Sequence, residues 1–507
     1  MKKYKYISFL FIIAVILSLT SCEDFVERYP RSAVASEEAL STMDGIDGAL
    51  AGLYSRMTNG DYNQREMNIA GEILSDQMDI AQQNAGRMIY HATNQEDAPF
   101  GVWSDLYNNI NRCNMILHYI DEIDASESRI NQAKGETYAL RAHIYFDLLR
   151  IYARPYMYRE PLVQGEPLGV IIKTEPFLGI DENTFQSRAT IEEGYQQVLD
   201  DLSMALNYLE GDEGLPYRYN EVSAKAMLAR VHLYMGNWSE AAGYAEDVIA
   251  EAPIGLVDAA DGVDYIVRVF ANRPGEESVL ELGFANETVS PSMNTSVAGM
   301  ATYYDEQVFA DRGIVMPHMV IDYEAYGDVI LRRDLVENVL QPYAALGDVR
   351  GEENATYYER DKGGQWCAFQ AKYHSYRGVA NWDDIKVIRI SEMYFIAAEA
   401  YAEMDQLGPA GDMLMAVREH RGIGSVPITA TTKEEFLDLL LTEKRLEFFS
   451  EMSHRWFDLR RRGMDIPKGI DGVDQGTTVD FEDYRIVERI PVNEIEANEN
   501  CIQNPGY

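Results

Sequence analysis

Glu443 and Glu447 stand i, i+4 on one expected helix face with His454 close behind, a set of residue types that could seat a metal ion or act as an acid/base pair. Lys444, Arg445, Arg455 and Arg460 lie beside them in the sequence and supply balancing cations, so the run reads as ion pairs instead. Asp348 and Arg350 read the same way. Arg460-Arg461-Arg462 falls at the end of an expected helix just before Gly463, where positive charge suits the terminal carbonyls, and is expected to be a solvated cap. The chain has no HExxH pair for zinc, no G-x-S-x-G elbow for a nucleophilic serine and no GxxxxGK[ST] loop to cradle phosphates. No metal, cofactor or catalytic residue is assigned.

A different chemistry is better supplied. A sugar ring offers an apolar C–H face beside hydroxyls, so a carbohydrate site needs flat aromatics for stacking and amides, carboxylates or guanidinium groups for hydrogen bonds. Tyr303, Tyr304, Tyr358, Trp366, Tyr376 and Trp382 lie in one loop-rich stretch, and Arg87, Tyr90 and Asn94 lie in another. Trp366, flanked by Gly363-Gly364 and Gln365, is the leading candidate. Trp103 and Trp456 stand within helical patterns and are assigned to the core. The 507 residues carry 44 Lys+Arg against 83 Asp+Glu, a net charge of −39, which argues against nucleic acid or any partner gripped mainly through phosphates. Cys22, Cys113, Cys367 and Cys501 are too few for a disulfide framework and lack the CxxC spacing of a zinc site.

The elements that must hold these residues are mostly helices. Ala224 to Ile249 reads as a small-residue helix, a break at Gly236-Asn237 and a second amphipathic helix. Glu392 to Arg421 repeats that grammar: Ala398 and Ala410 have the spacing of Ala229 and Ala241, with Gly408-Pro409 at the break. Small residues at facing positions let antiparallel helices approach closely, the packing logic of tetratricopeptide-type repeats. Ala133 to Tyr152 supplies a third helix of similar character. Thr432 and Glu435 form a capping box ahead of a helix with Phe436, Leu439, Leu440 and Leu446 on one face. Between the repeats, Pro253 to Asp384 is rich in Gly, Asn, Asp and Tyr and short of helical periodicity, and Asn59 to Phe100 is a shorter stretch of the same texture. The expectation is a helical-repeat platform carrying two irregular excursions that meet on one face.

The N-terminus reads as an address. Lys2, Lys3 and Lys5 precede a short apolar run from Ile7 to Leu19, the pattern of a secretory signal over residues 1–21. Leu19-Thr20-Ser21-Cys22 looks like a bacterial lipobox, which would place acyl chains on Cys22 and tether an otherwise soluble body. Glu23-Asp24 resembles the surface-export signal of Bacteroidetes lipoproteins, so the protein is expected on the outer membrane, facing outward.

Over almost the whole mature chain the sequence resembles the SusD/RagB family, the nutrient-binding surface lipoproteins of Bacteroidetes. The resemblance is carried by Gly135-Glu136 with Leu140-Arg141-Ala142 and Tyr145-Phe146-Asp147-Leu148, by Trp103, Tyr107, Ile110 and Asn114, and by Ser187-Arg188-Ala189-Thr190 leading to Asp200-Asp201-Leu202. It continues through Asp348-Val349-Arg350, Lys372-Tyr373, Arg389 and Glu392 into Glu443-Lys444-Arg445-Leu446-Glu447, His454 to Arg460, and Asn504-Pro505-Gly506-Tyr507. It implies a mostly α fold, a SusD-like superhelix of tetratricopeptide-like repeats with long loop excursions. It implies one domain over 22–507, with an N-terminal part over about 22–235, the excursion at about 253–384 and a C-terminal part over about 300–507. It also implies that the protein is no enzyme. Its role would be to capture oligosaccharides and deliver them to a SusC-like TonB-dependent transporter. Alternatives are a peptide-binding RagB-like lipoprotein, a surface-anchored glycoside hydrolase and a repeat scaffold. Cys22→Ser is expected to abolish incorporation of labelled palmitate and free the protein from the membrane fraction; undiminished labelling would refute the anchor.

Overall fold

The computed structural model describes residues 38–84, 86–94, 100–160, 168–181, 184–211, 214–284, 292–303, 325–376, 381–468 and 477–507. The signal, Cys22 and Tyr304 lie outside the described residues. The fold is mostly α. Helix α1 (Met43–Met57) packs on α2 (Trp103–Tyr119) and α3 (Glu127–Tyr152). Helix α4 (Ile191–Leu209) lies antiparallel along α3, and the approach is close at both ends. A Cβ on Gly135 would come within 2.5 Å of the Leu209 side chain, and one on Gly194 within 2.6 Å of the Leu149 side chain, so a larger residue at either place would force that leucine to shift.

The expected repeat pairs are present. Helices α5 (Glu221–Met235) and α6 (Trp238–Glu251) form one, with Ala229 and Ala241 fully buried between them. Helices α7 (Ile390–Glu403) and α8 (Leu407–His420) form the other, with Ala398 and Ala410 equally buried. Gly236 closes α5 in the left-handed conformation at φ +75°. The break in the second pair differs from the expected one. Asp405, at φ +60°, takes the equivalent left-handed position. Gly408-Pro409 sits inside the first turn of α8, where a missing proline N–H costs nothing. Helix α9 (Lys433–Phe448) starts at the expected Thr432–Glu435 capping box and is followed by α10 (His454–Arg461).

Helix α6 packs on α7 although the long excursion separates them in sequence. The excursion is therefore an insertion between stacked helical pairs. Its stem is an antiparallel pair of β2 (Ser278–Leu282) and β6 (Ile385–Arg389). It is also less irregular than its sequence texture suggests. Strand β1 (Met78–Ile80), from the shorter excursion, pairs with β3 (Val329–Leu331) from the longer one, and β5 (Gln365–Gln370) joins β3 to β4 (Tyr357–Lys362). The two excursions thus meet as one four-stranded antiparallel sheet.

At the junction of stem, platform and excursion lies a buried charge network. Glu447 of α9 receives Arg421 at 2.9 Å, Arg389 at 2.8 Å and Arg350 at 3.3 Å. Glu443 receives Arg350 and Arg418, each at 2.8 Å, and Arg350 also meets Asp348 at 2.6 Å. Glu277, at the foot of β2, bridges Arg389 and Arg421, while Glu451 takes Arg389 and Lys372. The ion-pair reading of Glu443 and Glu447 holds, but their partners come from distant segments. The sequence neighbours serve elsewhere: Lys444 meets Asp458, Arg445 and Arg455 meet Asp76, and Arg460 donates to the carbonyls of Arg150 and Ala153. The expected solvated cap is corrected too. Arg460 and Arg461 are buried, Arg461 between Glu399 and Asp458 at 2.6 Å each. His454 stacks on Phe448, and burial holds it well below its usual pKa, hence neutral.

Burial alone would raise the Glu447 carboxyl, but Arg421, Arg389 and Arg350 outweigh it and hold it well below 4.5. Its folded pKa is depressed, so the stabilisation is complete above the unfolded value and is lost as pH falls toward the folded one. Glu447→Gln, which leaves buried guanidinium groups short of a counter-charge, is expected to cost about 3–5 kcal/mol in chemical denaturation and to flatten the acid limb of the stability profile. A loss below about 1 kcal/mol would contradict the network's role.

Candidate functional site

The β4–β5 hairpin is set by its turn. Lys362 faces Gln365, and Gly363 and Gly364 between them have φ of +63° and +87°, the two-residue turn that a right-twisted hairpin favours. A Gly-Gly pair between strand-like runs is the sequence signal for such a turn. The hairpin end meets the shorter excursion: the Gln82 N–H donates to Gln365 Oε1 at 2.8 Å, and Gln83 Nε2 donates to the Gly363 carbonyl at 3.3 Å.

Strand alternation then divides the candidate residues between two faces. Trp366 packs toward the second core with Tyr357 and Ala368, whereas Tyr303 packs on Phe369 and Tyr358 in a smaller cluster across the sheet. Trp366 is half-buried, donates its indole N–H to Glu359 at 2.8 Å and carries the Arg333 guanidinium 4.0 Å from its ring centroid. Arg332, Arg333, Asp79, Gln82 and Gln365 complete a small pocket of about 120 Å³ beside it.

Across the sheet, Tyr303 and Arg87 share a cluster whose other members, Tyr326, Asp328 and Lys362, the sequence did not disclose. Arg87 lies 3.8 Å over the ring of Tyr326 and meets Asp328 at 2.6 Å. Lys362 donates to the carbonyls of Tyr326 and Gly327 at 2.9 and 2.7 Å and lies 5.6 Å over the ring of Tyr303. Burial draws the Lys362 ammonium below its usual pKa while Asp328 opposes the shift. A Cβ on Gly327 would meet the Tyr303 ring at 2.9 Å, so a left-handed glycine permits this packing. Tyr326, Asp328, Lys362 and Arg333 carry no local motif, and only the folded strand order gathers them.

The remaining candidates scatter. Tyr358 is fully buried, its hydroxyl spanning the Tyr303 backbone. Tyr376 is bonded to the Ala371 carbonyl and Trp382 lies near Arg273; both are buried. These three rings are buried, in contrast to the half-buried Trp366 and Tyr303. Asn94 is buried with a left-handed backbone, and its carbonyl accepts from Arg485. Tyr90 stands exposed on a short helix, Ile89–Ala92.

Comparison with known proteins agrees with this architecture. The family described as starch-binding associating with outer membrane matches residues 24–233, and the SusD family matches residues 334–507. A SusD-like protein of Formosa agariphila is 25% identical over 94% of this chain and 95% of its own. The crystal structure of a SusD superfamily protein from Bacteroides thetaiotaomicron superposes with a TM-score of 0.74 at 25% identity, over 92% of this chain and 100% of that one. A laminarin-binding SusD-like protein superposes with a TM-score of 0.68 at 22% identity, over 92% of this chain and 99% of that one.

Asp328 is the counter-charge of both Arg87 and Lys362. Asp328→Ala is expected to destabilise the fold by about 1–3 kcal/mol, and Arg87→Ala to cost less in that background than alone. Strictly additive losses in the double-mutant cycle would contradict the pairing.

Proposed function

The chain belongs to the SusD/RagB family of carbohydrate-binding proteins associated with the outer membrane, and from that premise we propose that it is a surface lipoprotein that captures oligosaccharides. It is anchored through Cys22 and hands its cargo to a SusC-like TonB-dependent transporter. Capture takes place around the β4–β5 hairpin end. The observation that carries this reading is a pair of aromatic rings, Trp366 and Tyr326, each held under a guanidinium, Arg333 or Arg87, at the place where the two excursions join. Aromatic faces stack on sugar C–H surfaces, and guanidinium, amide and ammonium groups nearby can bond the hydroxyls. Gln82 and Gln365 extend the same rim, and the exposed Tyr90 is a further candidate contact.

Binding rather than catalysis fits the carboxylates. Glu443 and Glu447, the pair most suggestive of acid/base chemistry, are saturated by guanidinium groups. No helix among the described residues is long and apolar enough to cross a membrane.

Calorimetric titration against neutral oligosaccharides and, in parallel, oligopeptides tests the reading. Saturable binding to one glycan class is expected, with Trp366→Ala weakening it about tenfold while the protein still folds cooperatively. Selective peptide binding would replace the glycan reading, and full glycan affinity in Trp366→Ala would remove that residue from the site. The barrel is expected to copurify from mild-detergent extracts.

A further inference from the structure

A second cavity lies away from the sheet, between α2 and the extended segment 168–181. It measures about 630 Å³, within the range of cavities that hold small ligands. The segment beside it has no regular secondary structure, yet side chains pin its backbone. Asn111 accepts the Phe177 N–H at 2.7 Å, and Asn114 donates to the carbonyls of Lys173 and Glu175 at 2.9 and 3.0 Å. The Tyr107 and Tyr145 hydroxyls bond the backbone of Ile171 and Lys173. On the far side, Asn498 and Asn500 donate to the carbonyls of Gln186 and Phe185. The walls are thus fixed before any ligand arrives, which lowers the ordering cost of binding.

The lining has two chemistries. Phe177, Leu178 and Phe185 stand at the mouth 55%, 41% and 42% exposed, a cluster of apolar side chains rather than a single one. Asn108, Asn111 and Gln186 supply amides, and Glu494 a carboxylate. Aromatic flanks around a concave amide-lined cavity suit a sugar, which needs stacking and bidentate hydroxyl contacts together, better than a flat protein partner. None of these residues lines the pocket beside Trp366.

We propose that this cavity is a second carbohydrate-binding site, for neutral sugar units of the same glycan chain or another copy of it. The ligand class rests on the function proposed above; the cavity and its exposed aromatics do not. Two sites on one chain would hold a polymer by avidity while the sheet site presents an end for import.

Affinity electrophoresis of the full chain in mild detergent, through gels containing starch, laminarin or xylan, tests this with two variants. Phe177→Ala/Phe185→Ala removes exposed rings and should leave the thermal midpoint unchanged, while its retardation by the polymer falls about tenfold. Arg87→Ala/Tyr326→Ala, at the sheet, is expected to retain weaker polymer binding that disappears when the two variants are combined. Wild-type retardation of the Phe variant, or complete loss in the sheet variant alone, would overturn the second site and leave the proposed function standing. No retardation of the wild-type chain by any of the three polymers would overturn both. Unchanged retardation with loss of barrel copurification in the Phe variant would make the cavity a protein contact instead.

Discussion

Glu447 holds together segments that the sequence keeps far apart. Its carboxylate meets an arginine from the excursion, one from the end of the stem strand and one from the end of α8, and Glu277, Glu443 and Glu451 share those same arginines. Buried ion pairs often stabilise little relative to an apolar replacement, because desolvation offsets the attraction. Their consequence here is geometric. Guanidinium groups with fixed forks accept only one arrangement of carboxylates, so the network sets where the excursion leaves the helical platform and how it returns. A hydrophobic junction would tolerate sliding; this one does not.

From that fixed root the excursion can carry a sheet whose candidate contact residues come from three separate stretches. Arg87 and Tyr326 lie on one side of the hairpin end, Trp366 and Arg333 on the other, and the Gly363-Gly364 turn brings the two sides to a common edge. The aromatic rings are held by cation–π contacts and ion pairs rather than by enclosure, which leaves them partly open. Sealed and solvent-facing charges are thereby separated. The network's arginines are sealed in by carboxylates, whereas Arg87 and Arg333 keep solvent contact.

Much of the platform was legible in the sequence. The alanine spacing of the two repeat pairs, the capping box at Thr432 and the core tryptophans Trp103 and Trp456 all reflect local periodicity and caps, which a chain displays residue by residue. The ion-pair character of Glu443 and Glu447 was legible as well, but the identity of their partners was not. Proximity in sequence favoured Lys444 and Arg455, while the fold supplied Arg350, Arg389, Arg418 and Arg421 from the excursion, the stem strand and helix α8 with its C-terminal cap. Glycine and proline misled at Gly408-Pro409 because aspartate can also take a left-handed turn, as Asp405 does. The site was the least legible part. Loop aromatics serve ligands or packing with the same composition, and only the fold separates the buried Tyr358, Tyr376 and Trp382 from the half-buried Trp366. Tyr326, Asp328 and Lys362 become a cluster only when β1 pairs with β3 and β5 with β4.

The central claim is that the edge where the two excursions join is the capture surface. Hydrogen–deuterium exchange of the full chain with and without a saturating bound oligosaccharide tests it most directly. The account predicts slowed exchange over residues 82–90, 326–333 and 362–366. Unchanged exchange in all three stretches, with the glycan demonstrably bound, would contradict it.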